Sequence, residues 1–161
     1  MGTSHCDFTP VLSAAGPAAT TDQRLRTLGD VALLRHLGPL RERALRLGLV
    51  RHAADKALVF RRDEPGGSLL LVLAGRVRLF GPGRRDAVEL SEASPGDVFG
   101  EAEVLDGRAV RRLTAVASGP AELLEFAREL LLADGALPPA LADYLTAVHR
   151  QRQAAPSASP P

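Results

Sequence analysis

The stretch PGGSLLLVLAGRVRLFG, residues Pro65 to Gly81, decides the fold. It begins with residues that favour a turn, continues with a short apolar run, and alternates after a central glycine. Alternate side chains of a strand point to opposite faces, so Val77 and Leu79 share one face while Arg76 and Arg78 share the other. We therefore expect a buried strand followed by an alternating strand that exposes its two arginines.

Six further apolar runs flank this stretch. In chain order they read LVRHA, ALVFRR, AVEL, VFGE, LTAVA and AELLEF. Gly, Pro, Asp and Ser separate the runs, and both Gly75 and Gly96 are typical of turns. Short strands at a spacing of roughly 8–12 residues, with turn residues between them, predict an antiparallel barrel or sandwich of about eight strands.

Helical periodicity precedes the strands. Apolar residues recur every three or four positions from Asp22 to Leu37, with Thr21 or Asp22 as the N-cap. A second short helix is expected from Leu40 to Leu47. The predicted N-terminal region is therefore a pair of helices.

Helical periodicity also follows the strands. Residues Ala127 to Leu132 predict one or two helical turns, and Pro138-Pro139 begin a final helix. The apolar residues of that helix share one face: Leu141, Tyr144, Leu145 and Val148. Helices, then strands, then helices predict the α+β class with a compact β core.

The composition is that of one globular domain. The chain has 161 residues, 45% of them hydrophobic, and a net charge of +1, which gives no indication of a nucleic-acid partner. One domain is expected over residues 21–152, between flexible tails at residues 1–20 and 153–161. With one cysteine and neither a signal peptide nor a membrane span in the sequence, the expected location is the cytoplasm. The bias towards Arg, Ala, Gly and Pro is typical of GC-rich bacterial coding.

The motifs of catalysis are missing from the sequence. It contains no G-x-S-x-G and no Walker-type loop, and the four histidines have no spacing typical of a metal site. We therefore expect neither an enzyme nor a metal protein. A cupin-type enzyme shares the jelly-roll pattern, but it would need clustered histidines and a carboxylate on the strands.

Three segments together resemble cyclic-nucleotide-binding domains of the CRP/FNR type. The run Pro65 to Gly81 is similar to a turn and hairpin of that family, and SPGDVFGE, Ser94 to Glu101, resembles its PGD-x-FGE motif. The phosphate-binding cassette would be Phe99 to Ala117, and the resemblance extends over Leu33 to Val148. It implies a jelly-roll β-roll flanked by helices, with no covalently bound cofactor. The implied ligand is cAMP or cGMP, or alternatively a cyclic dinucleotide.

The resemblance also implies a set of site residues. Glu101 would accept the proton of a ribose hydroxyl, and Arg111, three residues before Thr114, would pair with the phosphate. Arg108 and Arg112 could help to hold another anionic ligand. The full set implied for the ligand is Phe99, Gly100, Glu101, Ala102, Arg111 and Arg112.

The cassette also departs from the family pattern. Glu103, Val110 and Leu113 replace two alanines and a proline, and Lys56 and Asp63 stand where the family commonly has glycine. Glu103 would place a second negative charge near the phosphate. At a separation of about 5 Å and an effective dielectric constant of about 20, the repulsion is on the order of 3 kcal/mol.

Two functions follow from this pattern. The first is a stand-alone regulatory or sensor domain for signal transduction, which binds a cyclic nucleotide or a related anion and signals through its flanking helices. Its last helix would dock on a partner protein or on a second copy through its apolar face. The alternative is a degenerate domain that binds no nucleotide and serves as an interaction or assembly module. No DNA-binding domain is expected, because about ten residues follow Val148, too few for the winged helix of the family's transcription factors.

Overall fold

The computed structural model describes residues 9–10, 17–107 and 110–154. The elements in chain order are β1 (Thr9–Pro10), α1 (Pro17–Leu28), α2 (Ala32–Leu37), a 3₁₀ turn (Gly38–Leu40), α3 (Arg41–Leu47), β2 (Leu49–Ala53), β3 (Leu58–Phe60), β4 (Ser68–Gly81), β5 (Val88–Ala93), β6 (Val98–Phe99), α4 (Glu101–Asp106), β7 (Thr114–Ala127), a second 3₁₀ turn (Arg128–Leu131) and α5 (Pro139–Ala154). None of the described helices is both long and apolar enough to cross a bilayer.

Two long strands, β4 and β7, form the centre of the sheet. They pair antiparallel from Ser68 opposite Ala127 to Phe80 opposite Thr114. The strand order is β1-β2-β7-β4-β5, with β3 also on β7 and β6 also on β4, and every pairing is antiparallel. The predicted α+β class with an antiparallel β-roll is confirmed. The eight predicted runs lie on six strands, and β1 was not predicted.

The prediction of a turn at Gly75 is wrong. The runs SLLLVL and RVRLF form one bent strand, β4, whose register against β7 shifts between Val72 and Arg76. Gly75 has φ of +83°, and a Cβ built there would lie 2.2 Å from the carbonyl oxygen of Pro120. A glycine is needed because the partner backbone crosses the bend at close range.

Strand β4 separates two apolar clusters. Every side chain from Ser68 to Leu73 is buried, because alternate residues face the helices on one side and the interior of the roll on the other. The helix-side cluster contains Leu69, Leu71 and Leu73, and the roll-side cluster contains Leu70, Val72, Val77 and Leu79. Beyond the bend, Arg76 and Arg78 are exposed, as predicted.

The N-terminal helices differ from the prediction. A single helix from Asp22 to Leu37 was expected, but the chain breaks after Leu28, where Gly29 adopts φ of +79°. The expected N-cap at Thr21 or Asp22 is wrong, because α1 begins at Pro17 with proline in the first turn. The helix therefore begins inside residues 1–20, which were expected to form a flexible tail. The turn expected after Phe126 is the second 3₁₀ turn.

The apolar face of α5 is buried inside the chain. Leu141 and Leu145 are fully buried, and Tyr144 and Val148 pack partly buried against the same helix-side cluster. Tyr144 also stacks on the His36 ring of α2, with centroids 4.6 Å apart. The expectation that Leu141 and Leu145 dock on a partner protein or a second copy is therefore wrong, because both side chains pack inside this chain against the helix side of β4. A contact of α5 with a partner through its other residues stays a prediction.

Lys56 and Asp63 occupy backbone positions that favour glycine. Their φ angles are +68° and +73°, in the left-handed region where a side chain is strained. These are the two positions at which the resemblance led us to expect glycine. Aspartate tolerates this conformation better than lysine does, so Lys56 carries the greater strain.

Replacing Lys56 with glycine should stabilise the protein. The side chain is exposed, so Lys56→Gly relieves backbone strain at little cost in contacts, and we expect a gain of about 0.5–1 kcal/mol in the free energy of unfolding. Urea denaturation would measure it. Lys56→Ala removes the same side chain but keeps the strain, so an equal gain in that variant would contradict the explanation.

Replacing Gly75 with alanine should destabilise the protein strongly. Gly119, at φ of +82° on β7, is the matched control, because a Cβ built there meets nothing within 4 Å. We expect Gly119→Ala to cost about 1 kcal/mol for the backbone conformation, and Gly75→Ala about 3 kcal/mol or more because the strand backbones must also separate. If urea denaturation gives equal losses of unfolding free energy for Gly75→Ala and Gly119→Ala, the close approach of Gly75 to the β7 backbone is unimportant for stability.

Candidate functional site

A cavity of about 480 Å³ lies between the roll and the last turns of α5. Its lining combines apolar and polar side chains from the start of α4, the segment that leads into β7, the roll and α5. The apolar wall consists of Phe60, Leu79, Pro82, Leu90, Val110 and Leu113. The polar lining consists of Arg62, Asp63, Glu101, Glu103, Arg111, Arg112, His149, Arg152 and Gln153.

Five of the six predicted site residues line this cavity. They are Gly100, Glu101, Ala102, Arg111 and Arg112. The sixth, Phe99, is fully buried beneath the site and packs against Phe60 with ring centroids 5.8 Å apart. Arg108 lies outside the described residues.

Gly100 sets the position of the α4 start. Its φ is +85°, and a Cβ there would lie 2.7 Å from the Ser68 carbonyl oxygen and 2.9 Å from Nη1 of Arg111. A side chain at this point would therefore push against both the β4 backbone and the arginine. The glycine lets Glu101 begin the helix directly above Arg111.

Arg111 is placed by backbone pairing with the chain before β4. Its N–H donates to the Glu64 carbonyl at 2.9 Å, and its carbonyl accepts from the Asp63 N–H at 2.8 Å. The guanidinium then turns inward, 4.1 Å above the Phe60 ring centroid. A Cβ on Gly66 would lie 2.6 Å from its Nε, so a glycine is also needed on the opposite side.

The buried guanidinium of Arg111 has several acceptors. The side chain is 3% exposed. Nη1 donates to Oε1 of Glu103 at 3.0 Å and to the Ser68 carbonyl at 2.9 Å, while Nη2 donates to Oγ of Ser68 at 2.7 Å. The arginine implied as the phosphate ligand is thus already held by protein groups.

Glu103 is a site residue that the sequence analysis did not include in the predicted set. Its side chain is 4% exposed, and Oε2 accepts from the Arg112 backbone N–H at 3.3 Å. Burial raises the pKa of the Glu103 carboxyl, although the hydrogen bond and charge of Arg111 act in the opposite direction. It was expected to repel a bound phosphate, whereas here its carboxylate pairs with Arg111. The available signal was the glutamate itself, at a position where the family usually has a small residue.

Glu101 binds the last helix. Its side chain is 2% exposed, and it forms an ion pair with Nη1 of Arg152 and a contact of 3.2 Å with Nδ1 of His149. Arg152 also donates to Oγ of Ser91 at 3.1 Å and to the Val98 carbonyl at 3.0 Å. The end of α5 is therefore tied to the roll through the carboxylate implied as the ribose ligand.

His149 and Arg152 were also missed by the sequence analysis. The available signal was helical spacing, because His149 follows the buried Leu145 by four residues and lies on the same face. Arg152 follows three residues later on that face. Once α5 packs on the roll, these two side chains reach the cavity. Arg112, at the exposed rim, forms an ion pair with Asp106.

Within residues 9–10, 17–107 and 110–154, no three His, Cys, Asp or Glu side chains come together as metal ligands would.

Removing Arg111 should destabilise the protein far more than removing Arg112. We expect Arg111→Ala to cost about 3–5 kcal/mol, because it leaves the Glu103 carboxylate buried without its cation. Arg112→Ala, which breaks an exposed ion pair, should cost about 1 kcal/mol or less. Urea denaturation of both variants would measure the difference.

The loss in Arg111→Ala should also depend on pH. Without the arginine, burial raises the pKa of Glu103 further, so the folded state retains a proton that the unfolded state releases. Stability should therefore fall as the pH rises above the ordinary glutamate pKa of about 4.3. If the loss of unfolding free energy in Arg111→Ala does not depend on pH, the explanation by a buried ion pair with Glu103 is wrong.

A family model for the cyclic nucleotide-binding domain matches residues 50–133. No curated protein matches the chain. The regulatory domain of Toxoplasma gondii PKA, solved with cAMP, aligns with a TM-score of 0.68 at 19% identity, over 86% of this chain and 51% of that one. A cyclic nucleotide-binding domain from Methylobacillus flagellatus aligns with a TM-score of 0.65 at 18% identity, over 91% of this chain and 82% of that one.

The catabolite activator protein of Thermus thermophilus is more similar in sequence. It aligns with a TM-score of 0.55 at 31% identity, over 76% of this chain and 55% of that one. This chain thus spans about half the length of the Toxoplasma and Thermus chains.

Proposed function

The chain belongs to the cyclic nucleotide-binding domain family, and we propose that it is a regulatory module in which a ligand in the cavity competes with α5 for one carboxylate. The observation that carries the proposal is the position of Glu101, which lines the cavity and is bound to both His149 and Arg152 of α5. The role is regulatory rather than catalytic, because the event at the site is an exchange of hydrogen-bond partners.

The competition follows from the burial of Glu101. The Glu101 side chain is 2% exposed, and His149 and Arg152 cover most of the surface through which a ligand could reach it. A ligand that donates to Glu101 must first displace His149 or Arg152, and the displaced residue loosens the end of α5. Ligand binding and the loosening of the end of α5 are then coupled equilibria. A change that favours the loose state of this helix end must therefore also strengthen ligand binding.

The two halves of α5 are held differently. Leu141 and Leu145, in the first half, are fully buried in the helix-side cluster, whereas His149 and Arg152, in the second half, are held by polar contacts at the cavity. Ligand binding would therefore move the second half and leave the first half in place. The freed end of α5 is the segment proposed to signal to a partner protein or to a second copy.

The proposed ligands follow from the family. They are a cyclic nucleotide, cAMP or cGMP, or a cyclic dinucleotide, with Gly100, Glu101, Ala102, Arg111 and Arg112 as the residues around it. Support comes from the Toxoplasma structure, which holds cAMP in a domain of this fold.

A second candidate is an assembly module that needs no ligand. One observation favours it, which is that Glu103 already neutralises Arg111 inside the protein. This candidate predicts no binding of any small molecule and no change in α5. A calorimetric titration of the wild type with cAMP, cGMP, cyclic di-GMP and adenosine separates the two candidates.

Removing Arg152 should loosen the end of α5 and tighten ligand binding. We expect Arg152→Ala to speed amide exchange over residues 149–154 and to lower the Kd of the best ligand about tenfold, because one competitor for Glu101 is gone. Hydrogen exchange and calorimetry would measure the two effects.

The matched control is Arg150→Ala. Arg150 lies on the same helix, is exposed and does not line the cavity, so its removal should change neither quantity. Weaker ligand binding in Arg152→Ala, or equal effects in both variants, would contradict the competition.

A further inference from the structure

We infer that the cavity selects an uncharged, hydroxyl-bearing ligand of nucleoside size and discriminates against the phosphate-bearing form of the same ligand, because Glu103 takes the place of the phosphate at Arg111. The inference rests on the proposed function in one respect, which is that the cavity under α5 is the ligand site. It changes the ligand class proposed there from the cyclic nucleotide to its nucleoside.

A phosphate that reached Arg111 would have to displace Glu103. The guanidinium is covered on one face by Phe60, and its Nη atoms already donate to Glu103 and Ser68. The displaced Glu103 carboxylate would then be buried without its cation. It would also lie near two other negative charges, the ligand phosphate and the Glu101 carboxylate. Uncompensated buried charge is strongly unfavourable, so the internal ion pair opposes the phosphate.

Two of the other three arginines of the cavity also have carboxylate partners. Arg152 pairs with Glu101, and Arg112 pairs with Asp106. Arg62 is exposed at the rim, adjacent in sequence to the carboxylate of Asp63. Among the described residues, an entering phosphate therefore meets no buried arginine that lacks a carboxylate partner.

The remaining surface suits an uncharged molecule. Leu90 and Leu113, both partly exposed, contribute apolar surface to the cavity wall. A ligand hydroxyl that displaces His149 or Arg152 can donate to the Glu101 carboxylate, whose oxygens accept hydrogen bonds from hydroxyl groups. The volume of about 480 Å³ lies within the range of roughly 300–1,000 Å³ that is typical of small-molecule sites.

The test compares each nucleoside with its cyclic nucleotide. Adenosine with cAMP, and guanosine with cGMP, differ by the phosphate ring, and each would be titrated by calorimetry into the wild type and into Glu103→Gln. The glutamine has the same shape and still accepts a hydrogen bond from Arg111, but it lacks the negative charge. Glu42→Gln, an exposed position on α3, removes the same charge far from the cavity.

In the wild type we expect at least one nucleoside to bind about ten times more tightly than its cyclic nucleotide. In Glu103→Gln the ratio of the two Kd values should shift by at least tenfold towards the cyclic nucleotide, and in Glu42→Gln it should not change. If circular dichroism shows that Glu103→Gln does not fold, the inference is tested by the ratio of the two Kd values in the wild type alone. Tighter binding of the cyclic nucleotide to the wild type, or no binding of either nucleoside, overturns the inference.

Hydrogen exchange of α5 in the same complexes distinguishes this inference from the proposed function. If a nucleoside binds more tightly but exchange over residues 149–154 does not change, the coupling to α5 fails and the ligand class stands. If a cyclic nucleotide binds more tightly and exchange increases, the coupling stands and the ligand class is wrong.

Discussion

The antiparallel pairing of β4 with β7 is the constraint on which the rest of the molecule depends. It extends from Ser68 to Phe80 on one strand and bends at Gly75. Because β4 is buried on both faces over its first half, it requires helices on one side and a closed roll on the other. The same strand begins at Ser68, whose carbonyl and hydroxyl both accept from Arg111. The candidate cavity is thus fixed to the two central strands of the sheet rather than to a surface loop.

Ion pairs inside the protein occupy the places at which the family resemblance implies a ligand. Arg111 is held by Glu103, and Glu101 is held by Arg152. Such pairs keep the buried charges compensated when the cavity holds no ligand. They also limit which ligands can bind, because a ligand must interact with the buried charge more favourably than the protein group that it replaces. In our proposal this exchange connects the interior of the roll to the end of α5.

The sequence was sufficient to predict the class, the β-roll and the positions of most strands, because apolar alternation and turn residues are local signals. It was insufficient at Gly75, since a glycine between two apolar runs fits a turn or a bend equally well until the partner strand is placed. It also missed the ion pairs of the site. Glu103 meets Arg111 only because Gly100 and the pairing at Glu64 bring α4 and the start of β7 together. His149 lies far along the chain from Glu101, so only the docking of α5 joins them.

The stack of Tyr144 on His36 gives the molecule a spectroscopic property of its own. The sequence has one tyrosine and no tryptophan. That tyrosine is on α5, with its ring nearly parallel to the imidazole at an interplanar angle of 8°. When light is absorbed by tyrosine and not by phenylalanine, the intrinsic fluorescence of the protein therefore originates from a single ring at the junction of α2 and α5. It reports the position of the last helix without any attached label.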